Sequence, residues 1–447
     1  MPDPADGRNH HMKAPVRSRR GWRRLVAAAA VAGVVAVSAA CGPGDGADSG
    51  DGTRFTYWSM WRPTEPQGQV LQSSIDQFTR DTGITVDVRW QGRRVLDNLA
   101  PSLPQGADAD LVDQSRTKLR TALADTGQSA DLTAVLDQPI PGENKKISEV
   151  IPPKYRPFLN GRDGRPYLIP YEVTGEALWL DAARYPDIAA KPPENWDDFV
   201  AVLARIQASG VTPIALDTNK AFWPLLVLQR ALGPQDLVRS AGDRTGEAWN
   251  APAVLDAIDR LEQLVRSGYF GHAYTDAQFP AGQIKWAQGR AALFLQGSWL
   301  PSEAEPYMAP SFRPTSIQLP AINGGDPVVS VELFGFAIPR SAKNGAAAQK
   351  FIAYFMNRSQ LEKISERADN LTPRADIPAP RQLASLQSAL SGREVYPWGS
   401  GLDLEYGPWT QEVLDPPAAA LMQGEISAVD FVAQMKQRSI AFWKNHG

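Results

Sequence analysis

Trp58 and Trp61 follow the strand-like run Arg54–Trp58, and Trp299 follows Gly297-Ser298 at the end of another such run. Trp398 stands in Tyr396-Pro-Trp-Gly-Ser-Gly401, a poor helix segment, with Tyr406 and Trp409 close behind. Aromatic rings placed in loops and at strand ends, not in helical stripes, offer flat apolar area with few rotamers to freeze. Between them lie planar hydrogen-bonding groups. Asp113 and Gln114 come just past the strand-like Asp110–Asp113, Asp217 ends the strand-like Pro213–Leu216, and Glu332 interrupts the apolar run Val331–Leu333. An acid in such a run belongs to a core only when it is paired. Flat faces for C–H groups and carboxyl or amide partners for hydroxyls are together what a sugar ring requires, because charge-assisted bonds add geometric specificity.

Other chemistries have less support. A nucleophile elbow of the form G-x-S-x-G is absent. H-E-x-x-H is missing too, and beyond the first forty residues only His272 and His446 remain, so neither a zinc site nor any cofactor is expected. No phosphate-binding P-loop occurs. A pair of carboxylates able to hydrolyse a glycoside stays open in a chain with 49 acidic residues.

These residues need a scaffold, and the sequence alternates strand-like and helix-like pieces. Leu71, Ile75 and Phe78 have helical spacing, with Gly83 as a stop. Ile84, Val86, Val88 and Trp90 then alternate with polar residues as a half-buried strand does. Val95–Leu103 reads as a second helix and Asp110–Asp113 as the next strand. That β-α-β-α-β order predicts an α/β lobe with a largely parallel sheet. Asn195 can cap a helix with Asp197 and Asp198 in its first turn, and Trp196, Phe199, Leu203 and Ile206 form its core stripe. Asn250 with Pro252 marks another start, Val254 to Val265 line that helix, and Gly268 ends it. Ala347, Phe351, Ile352 and Phe355 line a third. Trp223 sits at a helix start and is divided between core and cleft; Arg116 reads as a surface charge.

The two ends differ from this body. Six Lys and Arg between Lys13 and Arg24 precede the apolar run Leu25–Val37, then Ser38-Ala-Ala40 and Cys41, the one cysteine of the chain. The run has the length of a signal-peptide core and is short for a bilayer span. With its small residues and Cys41 the segment resembles a lipobox, although Ser38 stands where Leu is commonest, and Ser18–Trp22 resembles a twin-arginine export signal. Residues 1–41 are therefore expected to be a lipoprotein signal with Cys41 as lipid anchor, and 42–52, made of small and polar residues, a flexible tether. Beyond residue 40 there are 39 Lys and Arg against 47 Asp and Glu, a net charge of −8 that argues against nucleic acid as a partner.

Five blocks in order resemble the extracellular solute-binding proteins of family 1, the group that includes maltose-binding proteins. They are Phe78–Val88 with Gln91-Gly-Arg93 and Asp110–Gln114 after it; Gly164–Tyr171 with Ala177–Leu180; Pro193–Phe199; Gly289–Trp299; and Phe336–Pro339. The resemblance covers nearly the whole body. It implies an α/β fold of two discontinuous lobes joined by a hinge, of the periplasmic-binding-protein type II, with the ligand between them. The expected lobes are 53–172 plus 336–371 and 177–332 plus 377–447, with crossings near Val173–Ala177, Ser330–Phe336 and Leu371–Ile377.

On that resemblance Trp299 is a sugar-stacking ring and Trp398, Tyr406 and Trp409 lie where another is often found. Trp58 and Trp61 fall at the cleft lip. Tyr171, Glu172 and Glu176 flank the first crossing, with Glu332 at the second; Asp113, Gln114, Asp217 and Trp223 complete the candidates. The implied function is capture of a carbohydrate, of oligosaccharide size given the supply of aromatics, by a lipid-anchored monomer on the outer face of the membrane. Delivery would be to the permease subunits of an ABC importer. A carbohydrate-active enzyme, a sugar sensor on the same scaffold and a binder of another solute stay as alternatives.

Overall fold

The computed structural model describes residues 52–216, 222–271, 278–322 and 329–446. The described residues form one compact unit. Its described strands are β1 (Arg54–Ser59), β2 (Thr85–Trp90), β3 (Leu111–Ser115), β4 (Ile169–Asp181), β5 (Thr212–Ala215), β6 (Ala291–Gly297), β7 (Pro314–Ile317), β8 (Val329–Ala337) and β9 (Val395–Pro397). They follow the order β2-β1-β3-β8-β4-β6-β5, with β7 also on β4 and β9 on β8. The predicted parallel start is present: β1 pairs in parallel with both β2 and β3. The strand β8, far away in sequence, closes against β3 antiparallel.

The centre of the arrangement is β4. Ile169–Gly175 pair with β8, whereas Glu176–Trp179 pair with β6 and Leu178–Asp181 with β7. One strand thus leaves one sheet and enters another between Gly175 and Glu176. Every residue from Ile169 to Leu180 is buried, as a strand covered on both faces must be. Tyr171 is an extra residue in the β4–β8 ladder: Pro170 faces Gly335 and Glu172 faces Phe334, so the bulge turns Tyr171 out of register.

The two α/β lobes have largely distinct cores. Around β1, β3 and β8 the rings of Phe55, Phe78, Phe336, Phe351 and Phe355 meet edge-on or tilted, at 5.3–6.4 Å. The second core gathers Leu178, Phe199, Ile214, Trp223, Trp249, Ile258, Trp409 and Phe442 around the other side of the β4 end. Trp179 on the second sheet, and Trp286 and Phe312 packed beside it, belong with the first cluster, so apolar packing continues past the point where β4 changes sheets.

Local signals account for most of the helices. Asn195 Oδ1 accepts from the Asp198 amide at 2.9 Å and caps Trp196–Ala208, and the stripe Trp196, Phe199, Leu203, Ile206 is buried. Two expectations need correction. Val95–Leu103 is not one helix: the α-turns end at Leu99 and a 3₁₀ stretch with Pro101 and Pro104 follows, because proline removes backbone donors. The helix marked by Asn250 and Pro252 does start, at Pro252, but its N-cap is Ala251, and the Asn250 amide is spent on Glu247 in a preceding 3₁₀ turn.

Close approach at the β4 bulge explains one glycine. A Cβ on Gly335 would lie 2.4 Å from the Ile169 carbonyl oxygen and 2.7 Å from Pro170 Cα, both backbone atoms that cannot yield. At Gly175 the nearest atoms are the methyl ends of Leu386, at 3.3 Å or more. We expect Gly335→Ala to cost about 3 kcal/mol of stability and Gly175→Ala about 1 kcal/mol or less, read by urea unfolding; equal losses would show that the bulge does not constrain the fold.

Candidate functional site

The C-terminal ends of β1 and β3 and the bulged start of β4 meet in one hydrogen-bonded group. Asp113 is fully buried inside β3, not just past it as the sequence suggested. Its Oδ1 accepts from the Met60 amide at 2.8 Å and its Oδ2 from the Tyr171 hydroxyl at 2.5 Å. That hydroxyl in turn accepts from Trp61 Nε1 at 2.7 Å. Burial pushes the Asp113 carboxyl up to about 6 in spite of these bonds. Both oxygens are therefore used to shape the Ser59–Trp61 turn. Gln114 is also turned inward, accepting from the Ser115 amide and donating to the Arg93 carbonyl.

Trp61, so held, carries the Arg93 guanidinium 4.5 Å from its ring centroid, a cation–π arrangement. Arg93 also donates to the Met60 carbonyl at 2.8 Å and pairs with Glu65 at 2.7 Å. Trp58 is nearly buried, and its Nε1 has no partner.

Two carboxylates on β4 differ from Asp113. Glu172 and Glu176 are each 2% exposed, yet Glu172 Oε2 and Glu176 Oε1 lack any hydrogen-bond partner. Burial pushes the Glu172 carboxyl up to about 8, against the side-chain bond from Gln67 and the positive charge of Arg93. Glu176 is raised as well, with the charge of Arg230 and a bond to Ser330 opposing burial. A buried acceptor left open is costly, and both oxygens are suited to a hydroxyl donor. Glu332, by contrast, is satisfied: Thr117 donates at 2.7 Å, the Leu333 amide at 3.1 Å, and Arg116 lies 3.7 Å away. Arg116 is accordingly buried and is no surface charge.

Opposite Glu176 in the ladder stands Gly297 at the end of β6, and the Trp299 ring folds back over it; a Cβ there would come within 2.2 Å of the indole. Ser298 fixes this end of β6 to β4 by accepting from the Gly175 amide at 3.4 Å. Trp299 stacks on Trp398, with centroids 5.8 Å apart and planes at 27°. Trp398 stacks in turn on Phe222 at 5.0 Å and 9°. Trp299 and Trp398 remain partly exposed while Phe222 is buried beneath them. Just after Trp299, Glu303 lies within electrostatic reach of Arg93 and Glu65, which sit at the Trp61 corner.

The remaining candidates fall elsewhere. Trp223 and Trp409 are fully buried in the second core, against Phe270 and Trp249 respectively. Tyr406 lies edge-on to Trp443 and packs over Gly242. Asp217 and Cys41 lie outside the described residues. Sequence reasoning missed Phe222, Arg93, Gln67 and Arg230. Phe222 adjoins Trp223, and choosing between them required the phase of the helix Phe222–Leu232; Arg93 closes the motif Gln91-Gly-Arg93 that was already marked. Among the described residues no group of three or more His, Cys, Asp or Glu is placed to hold a metal, and no helix is long and apolar enough to cross a membrane.

Residues 62–360 match the family of bacterial extracellular solute-binding proteins. The diacetylchitobiose binding protein NgcE of Streptomyces coelicolor is 22% identical over 330 residues, 71% of this chain and 66% of that protein. A multiple sugar-binding protein of Streptococcus mutans is 22% identical over 44% of this chain and 49% of its own. The chain thus spans two thirds or less of the curated relatives it matches. Among solved structures, a chitin oligosaccharide binding protein superposes with a TM-score of 0.68 at 19% identity, over 89% of this chain and 100% of the other. The apo form of RafE from Streptococcus pneumoniae gives 0.69 at 16%, over 90% and 99%. At these identities the likeness is one of fold.

The open carboxylate on β4 makes stability depend on pH. Because the folded pKa of Glu172 lies above its ordinary 4.5, the native state holds the proton more tightly than the unfolded chain. Its contribution is present below 4.5 and is lost as pH rises through about 8. Without ligand, Glu172→Gln should melt like the parent at pH 4 and be more stable by about 2 kcal/mol or more at pH 8.5. Parallel melting profiles across this range would show that Glu172 is not held protonated.

Proposed function

The chain belongs to the bacterial extracellular solute-binding proteins, and from that premise we propose that it captures a carbohydrate, of oligosaccharide size, for delivery to the permease subunits of an ABC importer. It acts as a binding protein and not as an enzyme. The observation that carries the choice of ligand is the partly exposed pair Trp299 and Trp398, stacked in series next to Glu176 and its open acceptor oxygen. Rings of this kind cover the C–H faces of a sugar, and the carboxyls of Glu172 and Glu176 receive its hydroxyls. The names of similar proteins agree, since they include binders of diacetylchitobiose, multiple sugars and chitin oligosaccharide.

The lobes of the proposal are 53–172 plus 336–371 and 177–332 plus 377–447, in a type II arrangement. The order β2-β1-β3-β8-β4, in which a late strand enters between β3 and β4, supports that type. Ligand bound to one lobe draws the other over it, limited by the difference in its affinity for open and closed states. Contacts between segments of the two lobes support such an approach: Arg120 pairs with Glu405 at 3.4 Å, and Arg162 donates to the Leu404 carbonyl at 2.9 Å. The signal-like residues 1–41 support attachment of a monomer to the outer face of the membrane through lipid on Cys41, with 42–52 as tether.

The test is a melting screen of residues 42–447 against mono- and oligosaccharides, followed by calorimetry. A ligand at a hundred times its Kd adds about 2.7 kcal/mol of stability, and Trp299→Ala or Trp398→Ala should each raise Kd about 10-fold or more. A chain that no saccharide stabilises would overturn the carbohydrate reading, and a saccharide consumed during the titration would overturn the non-enzymatic one.

A further inference from the structure

Trp398 is followed by three residues in left-handed backbone: Gly399 (φ 55°), Ser400 (φ 58°) and Gly401 (φ 78°). Glycine adopts this conformation freely, but a residue with a Cβ does so only against steric resistance. Ser400 is one of two described non-glycine residues with positive φ, and such outliers persist where their surroundings over-determine them.

Those surroundings are one face of the helix Phe222–Leu232. Phe222, Leu225 and Gln229 are spaced i, i+3 and i+7 and so share a side. Each meets one residue of the segment in turn. Phe222 stacks under Trp398, and Leu225 lies where it would crowd a side chain on Gly399, 3.2 Å from an added Cβ. Gln229 Nε2 donates to the Ser400 hydroxyl at 2.9 Å. The other end of the Gln229 amide accepts from Ser330 at 2.9 Å. Ser330 is fully buried on β8. A hydrogen-bonded line therefore runs from β8 through Gln229 to the backbone that carries Trp398. Gln229 is itself 2% exposed, so an unpartnered amide there would be costly, and both ends are in fact used.

We propose that Ser400 and Gln229 are positioning residues for ligand: they hold Trp398 parallel to Trp299 without touching the sugar themselves. The proposal rests on the reading of Trp398 as a stacking ring. Its geometry follows from the segment alone. Three left-handed residues lead from Trp398 into the helix Leu402–Tyr406. The one of them with a side chain spends it on the helix that also supplies the ring beneath.

The informative variant is Ser400→Gly, which removes the hydroxyl and relaxes the backbone at once. A residue that only stabilised the fold would change Tm and leave Kd within twofold of the parent. A positioning residue should raise Kd for the saccharide found in the screen roughly tenfold, whichever way Tm moves as strain at Ser400 is relieved and the Gln229 amide is left open. Near-ultraviolet circular dichroism gives a readout independent of ligand, because two stacked indoles couple. The difference spectrum of Ser400→Gly should reproduce that of Trp398→Phe, which deletes the Trp299–Trp398 pair directly. Gln229→Met, which keeps length but removes both bonds, should give the same spectral change and serves if the first variant fails to fold. An unchanged spectrum in both variants, or a Kd within twofold of the parent while Trp398→Ala weakens binding, overturns the proposal. If Trp398→Ala leaves Kd unaltered, the stacking role of Trp398 fails instead, and the spectrum still decides whether Ser400 and Gln229 set the ring.

Discussion

A strand shared by two sheets constrains the rest of the molecule. β4 has one set of backbone donors and acceptors, yet β8 takes them up to Gly175 and β6 and β7 take them from Glu176 on. Neither sheet can shift its register without shifting the other, since a slip of one residue would turn every side chain of β4 to the wrong face. The bulge at Tyr171 is part of the same constraint. It sends the tyrosine towards Asp113 and leaves Glu172 and Glu176 four positions apart beyond it, on one face of the strand. The tight passage of Gly335 past Ile169 makes this bulge possible. A joint built from backbone hydrogen bonds resists sliding more than bending, which suits the lobe closure proposed above.

On the proposed reading, support and recognition are divided among residues of the same type. Asp113, Glu172 and Glu176 are buried acids and Glu332 is half-buried. Asp113 and Glu332 have their oxygens occupied by protein donors and hold turns and strands in place; Glu172 and Glu176 each keep an oxygen unpartnered. The aromatics divide likewise. Trp223, Trp249 and Trp409 fill the second core, whereas Trp299 and Trp398 keep part of their surface in solvent. Composition cannot make these distinctions, because what differs is the partner and not the residue.

This explains what was legible in the sequence. The alternation over residues 84–90 and the Asn195 cap depend on neighbours a few positions away, and both appear as read. The ordered motifs located the β4 segment and Trp299, and the rule that an acid inside an apolar run must be paired applied to Glu332. Its partner Arg116 was invisible, being brought near by the β3–β8 pairing. Trp409 was misplaced for a similar reason: a tryptophan after a loop is as suited to a core as to a cleft until Trp249 is known to stack against it. Phe222 was lost to the neighbouring Trp223 because a helix turns about 100° per residue, so only its phase tells which ring meets Trp398.

On the proposed reading of the site, the open oxygens of Glu172 and Glu176 join stability and recognition in one account. An ionised carboxylate without full partners in a dry site loses hydration that nothing replaces, and it responds by holding its proton. A hydroxyl donor brought to Glu172 favours the charged form and draws its pKa back towards the ordinary range, so ligand and proton compete for the same oxygen. Ligand is then favoured more strongly at a pH where the unliganded carboxyl is already forced to ionise. Stacking on Trp299 and Trp398 has no such dependence, since it exchanges only apolar area with water. The proposed site therefore combines a pH-linked polar contribution on β4 with a pH-independent aromatic one just after β6 and at the 398–401 turn. Glu176 stands opposite Gly297, two residues before Trp299, so the polar and aromatic parts adjoin.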